Sequence, residues 1–187
     1  MNVLDKYKKW KPAKIKEKIK ENTFPYAVMM QHIGGDYNIS TLIRNANAFG
    51  ASKVFYYGRR KWDRRGSVGT HHYTDLVFLS DLEDLRLLKE KYHFVGIENN
   101  VPQAKNIQEY VPKPDTLFLF GEEGNGILPE ILELCDEVVY VPQYGSVRSL
   151  NVGTCSGIIM NDYVTRLHED ACSRKRICAF DITLPHN

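Results

Sequence analysis

No two cysteines stand in a CxxC pair, and no matched histidine pair accompanies the four present, Cys135, Cys155, Cys172 and Cys178. That spacing argues against a zinc site and against a disulfide framework, so the four are read as buried or idle thiols and no metal is expected. His71 and His72 are adjacent, which on a strand would turn them to opposite faces, and they are read as polar loop residues. No apolar run approaches the ~20 residues needed to span a bilayer. The basic N-terminus lacks the apolar centre of an export signal. A cytoplasmic protein with no membrane partner is therefore the expectation. A strong charge bias is missing too: 25 Lys and Arg face 23 Asp and Glu, for a net charge of +2.

The charge that is present is unevenly placed. Residues 1–20 hold eight lysines against Asp5 and Glu17, and a second basic cluster comprises Arg59, Arg60, Lys61, Arg64 and Arg65. Tyr7, Trp10, Tyr56, Tyr57 and Trp62 lie within or beside these clusters. Either cluster alone reads as a solvated face. Cations interleaved with rings suit contact with a nucleic-acid strand, through ion release and stacking.

Short apolar runs alternate with helical patterns. Residues 5–21 predict a lysine-rich helix interrupted near Pro12. Strands are expected over 26–31, 53–57, 76–79, 94–98, 116–120 and 138–141. Helices are expected over 38–49 with Asn38 as N-cap, then over 81–91, 129–134 and 150–167. This alternation implies an α/β fold with a mainly parallel sheet flanked by helices. The expected organisation is a basic N-terminal extension (1–22), one α/β domain (23–168) and a tail (169–187). In such folds ligands bind beyond the carboxyl ends of the strands, which selects the loops at 98–101, 121–126 and 142–149.

Two of those loops are unusual in composition. Gly121-Glu122-Glu123-Gly124-Asn125-Gly126 brings main chain close to anything bound there. It lacks the Lys-Ser/Thr of a phosphate loop, and it is not a dinucleotide fingerprint. By itself it is equally a tight turn, and its paired acids are equally solvated. The second loop runs from Val141-Pro142 to Ser149-Leu150-Asn151-Val152. Ser149 has a structural reading as an N-cap. Asn151, placed inside a first helical turn, has a weaker one, since asparagine is a poor helix former. Gly153, Thr154, Ser156 and Gly157 permit close helix packing. Arg44, within an otherwise apolar or small helix, either reaches for solvent or holds a phosphate or ribose.

Taken in order, three segments resemble one family. They are residues 38–50 around Arg44, residues 120–127 around Glu123, and Val141-Pro142 followed by Ser149-Leu150-Asn151-Val152. The chain is identified by them as similar to the SpoU (TrmH-like) branch of the SPOUT superfamily, S-adenosylmethionine-dependent RNA 2′-O-methyltransferases, over roughly residues 25–167. The resemblance implies a C-terminal deep trefoil knot, a rare exception to unknotted folds. It further implies a homodimer with the site at the subunit interface. Ile97, Gly121, Val141 and Leu150 would bind S-adenosylmethionine, and Asn38, Arg44, Glu123, Ser149 and Asn151 would form the catalytic set. Tyr37 and Ser40 depart from the family pattern, which commonly has proline and glycine there. Similarity around 96–98 and 143–151 leans towards members acting on a guanosine of the tRNA D-loop. The implied substrate is RNA, tRNA ahead of rRNA. The alternatives are a non-catalytic RNA-binding protein, a base methyltransferase of the same superfamily, and a nucleotide-binding metabolic enzyme.

Overall fold

The computed structural model describes residues 3–32 and 37–175. Its centre is a seven-stranded sheet in the order β3-β2-β1-β6-β4-β7-β5, with every neighbouring pair parallel. The strands are β1 (Phe24–His32), β2 (Ala51–Gly58), β3 (Leu76–Leu79), β4 (His93–Ile97), β5 (Lys105–Asn106), β6 (Thr116–Phe120) and β7 (Glu137–Tyr140). The helices are α1 (Pro12–Lys20), α2 (Asn38–Ala48), α3 (Leu82–Leu87), α4 (Pro129–Leu132) and α5 (Val152–Lys175).

Both faces of the central strands are covered, which is why β1 and β6 read as unbroken apolar runs rather than alternating ones. Tyr26, Val28, Met30, Phe118 and Phe120 pack with Ile39, Leu42 and Ile43 of α2 and with Ile159, Met160 and Tyr163 of α5. Ala27, Met29, Leu117 and Leu119 face the opposite way, against Leu85, Ile127 and Ile131.

Several boundaries differ from expectation. The N-terminal helix shortens to α1, because Pro12 is tolerated only at a helix start, and a separate 3-10 turn covers Asp5–Tyr7. α1 lies on the body of the protein: Ile15 is fully buried, and Lys16 reaches Asp75 at 2.9 Å. β5 was not expected, being two residues long at the sheet edge. α5 extends to Lys175, beyond the expected end at 167. Of the tail, residues 176–187 lie outside the described residues, as does the side chain of Cys172.

Asn38 is not the N-cap of α2. Tyr37 occupies that position without a side-chain cap, and Asn38 is the first helical residue. The N-cap of α5 is Asn151, not Ser149: the Thr154 amide donates to Asn151 Oδ1 at 3.1 Å. An asparagine just outside the helix accepts such a bond readily, so its poor helix propensity has no cost there.

α5 packs on α2 through the small residues. A Cβ on Gly153 would lie 2.8 Å from Thr41 Cγ2, so the two backbones meet where only glycine fits. Asn45 Nδ2 donates to the Gly153 carbonyl at 2.8 Å and to Ser156 Oγ at 3.0 Å. Between β7 and α5 the chain must cross the ends of β4 and β6 to reach α2.

Candidate functional site

The carboxyl ends of β4, β6 and β7 open into one cleft of about 470 Å³. The three loops selected from the sequence converge there, and Ile97, Gly121, Val141 and Leu150 all line it. Ile97, Val141, Leu150 and Val152 supply apolar walls, while the Gly121–Gly126 loop supplies main chain.

That loop is a tight hairpin. Glu122 and Gly126 exchange two main-chain hydrogen bonds, each 3.0 Å. Gly126 has φ +69°, and a Cβ on Gly121 would sit 2.1 Å from the Gly126 carbonyl carbon. Glycine is therefore required at both positions, one for conformation and the other for space.

Two residues the sequence reading left without a role hold this hairpin in place. Gln31, buried at the end of β1, donates from Nε2 to the Gly126 carbonyl at 3.2 Å and accepts from the Leu128 amide at 2.8 Å. Glu98 accepts from the amides of Ile127 at 3.2 Å and Asn99 at 2.9 Å. For Gln31 the only local signal was a polar residue at the end of an apolar strand, and its partners lie more than ninety positions away. Cys155 completes the wall; burial, assisted by the Glu98 carboxylate, pushes its thiol up to about 11, so it stays neutral.

At the cleft mouth the expected polar residues gather into one network. Asn38 Nδ2 donates to Glu123 Oε2 at 2.9 Å. Asn151 Nδ2 donates to Asn38 Oδ1 at 2.8 Å and more weakly to Glu123 Oε2 at 3.4 Å. Asn151 thus caps α5 with its oxygen and joins α2 to the glycine hairpin with its amide. Ser149 is exposed and lines the cleft.

Arg44 is not part of that network. It is exposed on α2 and hydrogen-bonds to none of its members. Helical spacing puts it on a stripe with Tyr37, Thr41 and Ala48, next to the face that docks on α5. The side-chain amide of the neighbouring Asn45 is turned to α5, where it holds the Gly153 carbonyl and Ser156.

The second basic cluster packs beside this stripe. Ser40 Oγ donates to the Asp63 carbonyl. Trp62 packs edge-on against His71, 5.6 Å between centroids, and His71 Nδ1 lies 2.6 Å from Ser67 Oγ. On this base Arg64 lies over the Trp62 ring at 5.8 Å, and Arg60 over Phe78 at 5.2 Å.

The chain has known relatives. A family model described as the SpoU rRNA methylase family matches residues 25–161. A tRNA (guanosine(18)-2′-O)-methyltransferase of Aquifex aeolicus is 26% identical over 155 residues, 79% of this chain and 72% of the relative. The solved TrmH/SpoU tRNA modifying enzyme of A. aeolicus superposes with a TM-score of 0.73 at 22% identity, covering 86% of this chain and 84% of that one. The methyltransferase AviRb of Streptomyces viridochromogenes, solved with AdoMet, gives 0.69 at 23% identity, covering 76% and 57%. At such identities the structures speak for the fold alone, whereas the family model spans most of the chain and all three motif segments. This chain belongs to the SpoU rRNA methylase family.

Proposed function

We propose that the protein transfers a methyl group from S-adenosylmethionine to a ribose 2′-hydroxyl of RNA, with tRNA ahead of rRNA as substrate. One observation carries the reading: a cleft with apolar and main-chain walls stands beside the Asn38–Glu123–Asn151 network, with Arg44 exposed on α2 and without a carboxylate partner among the described residues. The cleft fits the donor. Ile97, Val141, Leu150 and Val152 suit a purine face, and glycines at 121 and 126 allow amides to approach polar edges. The donor would supply a sulfonium-activated methyl group and leave as the neutral thioether, with the 2′-hydroxyl proton passing to solvent water.

The chain's task is then alignment and charge control. Asn38, Glu123 and Asn151 fix the glycine hairpin relative to α2 and α5. Ser149 offers a hydroxyl at the mouth. Arg44 takes the adjoining phosphate and steadies the developing alkoxide; as a guanidinium that stays protonated, it is a poor base and a good anion clamp. Its isolation from the other four residues supports a homodimer in which Arg44 completes a site at the subunit interface. Exposed Ile158 on α5 is an apolar group such an interface would cover.

Arg44→Ala should lower methyl transfer by ~10²–10³-fold while donor binding measured by calorimetry persists. Retained activity would overturn the role. Mapping ribose methylation in total tRNA and rRNA with and without the protein tests the reaction itself, and methyl found on a base would refute it.

A further inference from the structure

We propose that Tyr37 is a stacking platform for an unpaired base of the RNA strand that Arg44 holds, with Arg64 beside it on the same strand. The inference rests on the reading of this chain as an RNA methyltransferase and adds the residue that grips the substrate's base.

Tyr37 is 68% exposed, an unusual state for a ring. It immediately precedes Asn38, whose side chain belongs to the network at the cleft mouth. It also heads the exposed α2 stripe that carries Arg44. The two are seven positions apart, about 10 Å along a helix. One ring and one guanidinium at that distance can engage a base and a nearby backbone phosphate of one extended strand.

The flank of the stripe is positively charged and fixed. Ser40 bonds the Asp63 carbonyl, and the Gly66 backbone lies so close that a Cβ there would be 2.9 Å from Ser40 Cβ. The segment that carries the second basic cluster is thereby held against α2. Arg65 is occupied by Asp63, through Nε bonds of 3.0 and 2.9 Å. Arg64 is exposed and lies over the face of Trp62, with no carboxylate partner among the described residues. An exposed ring at the head of the stripe that carries Arg44, beside the segment that carries Arg64 and Arg65, suits a polyanion with unstacked bases. An acidic protein surface would use the cations and leave the ring without a partner. Stacking also explains why a bulky tyrosine is useful in front of a reactive arginine: a ribose presents its 2′-hydroxyl best when its strand is splayed out of a helix.

The test uses the full chain with Tyr37→Phe, Tyr37→Leu and Tyr37→Ala. The probes are unmodified tRNA transcripts and a short single-stranded RNA carrying 2-aminopurine. Stacking predicts that wild type and Tyr37→Phe quench the 2-aminopurine and share one KM for tRNA. Tyr37→Leu and Tyr37→Ala should fail to quench it and raise KM roughly tenfold or more, with kcat and the donor Kd within about twofold. Leucine behaving like phenylalanine, or an unchanged KM in the alanine variant, overturns the proposal. So does a change of oligomeric state in sedimentation, which would assign the ring to a contact between copies. If wild type binds the donor but methylates no RNA, the parent reading fails instead, and the quenching result still reports on the platform.

Discussion

Replacing Gln31 by leucine should damage the donor cleft from a position that does not line it. The side chain is 1% exposed and forms two bonds to the far side of the glycine hairpin, one to the Gly126 carbonyl and one from the Leu128 amide. Leucine preserves volume but leaves the Leu128 amide without a partner and removes one of two donors from the Gly126 carbonyl, which keeps the Glu122 amide. The unpaired amide costs about 1–3 kcal/mol, partly offset by no longer burying a side-chain amide, so a loss of roughly 1–3 kcal/mol is expected. For a chain of this size that lowers Tm by about 2–12 °C. Amide exchange at Ile127 and Leu128 should quicken, and donor affinity should fall about tenfold as the hairpin loses its anchor. Gln31→Glu sharpens the test. It keeps an acceptor for the Leu128 amide but sets a carboxylate oxygen against the Gly126 carbonyl, so it should be as damaging at neutral pH and partly recover in mild acid. A leucine variant that melts within 2 °C of wild type (a threshold of about 0.5 kcal/mol) and binds donor normally would refute the claim that Gln31 sets the hairpin.

Gly121→Ala would place a methyl 2.1 Å from main chain, against a normal contact of ~3.5 Å. The hairpin must shift by over an ångström, so calorimetry should show donor affinity reduced at least tenfold; unchanged affinity would mean the main chain there does not meet the donor. Burial alone would raise the Glu137 carboxyl, but hydrogen bonds from Lys113, Lys105 and His93 outweigh it and hold the pKa at about 2. A depressed carboxylate stabilises above its unfolded value and loses that contribution as pH falls through the folded one. Urea titrations should therefore show wild type ahead of Glu137→Gln by ~1–2 kcal/mol at pH 7, a figure reduced for solvent screening. The gap should close between about pH 4.5 and 2. Ile15→Ala should cost ~2–4 kcal/mol, because α1 is packed and not a loose basic arm. An alanine variant as stable as wild type would return α1 to the role of a detachable extension.

How much of this was legible in advance depended on how local each signal was. Every strand but the two-residue β5 was legible, most plainly β1 and β6, which are buried on both faces and carry unbroken apolar runs, and parallel strands separated by helices leave few architectures. The loop between Gly121 and Gly126 announced itself because a hairpin whose backbone must approach another backbone tolerates little except glycine. The family resemblance named Ile97, Gly121, Val141 and Leu150 as donor-binding residues, and the structure sets all four on the wall of one cleft. Where the reading slipped, the missing information was a boundary or a distant partner. Moving the start of α5 by two residues turned Asn151 from a poor helix former into a cap, with its amide free to join Asn38 and Glu123. Gln31 looked like an ordinary strand residue, since nothing within the strand reveals a bond to position 126.

The sequence by itself determined the alternation of elements, the positions of obligatory glycines and the residue types available at the strand ends, because backbone sterics and hydrophobic period act within a few residues. Only the tertiary structure decided which of those residues meet. It drew Asn38, Glu123 and Asn151 into one network across 113 positions of chain, left Arg44 outside it on an exposed stripe, and set Tyr37 and the arginines beside that stripe. Hydrogen bonds and packing couple groups by distance in space, and the crossing from β7 to α5 that creates those distances is invisible to any local pattern.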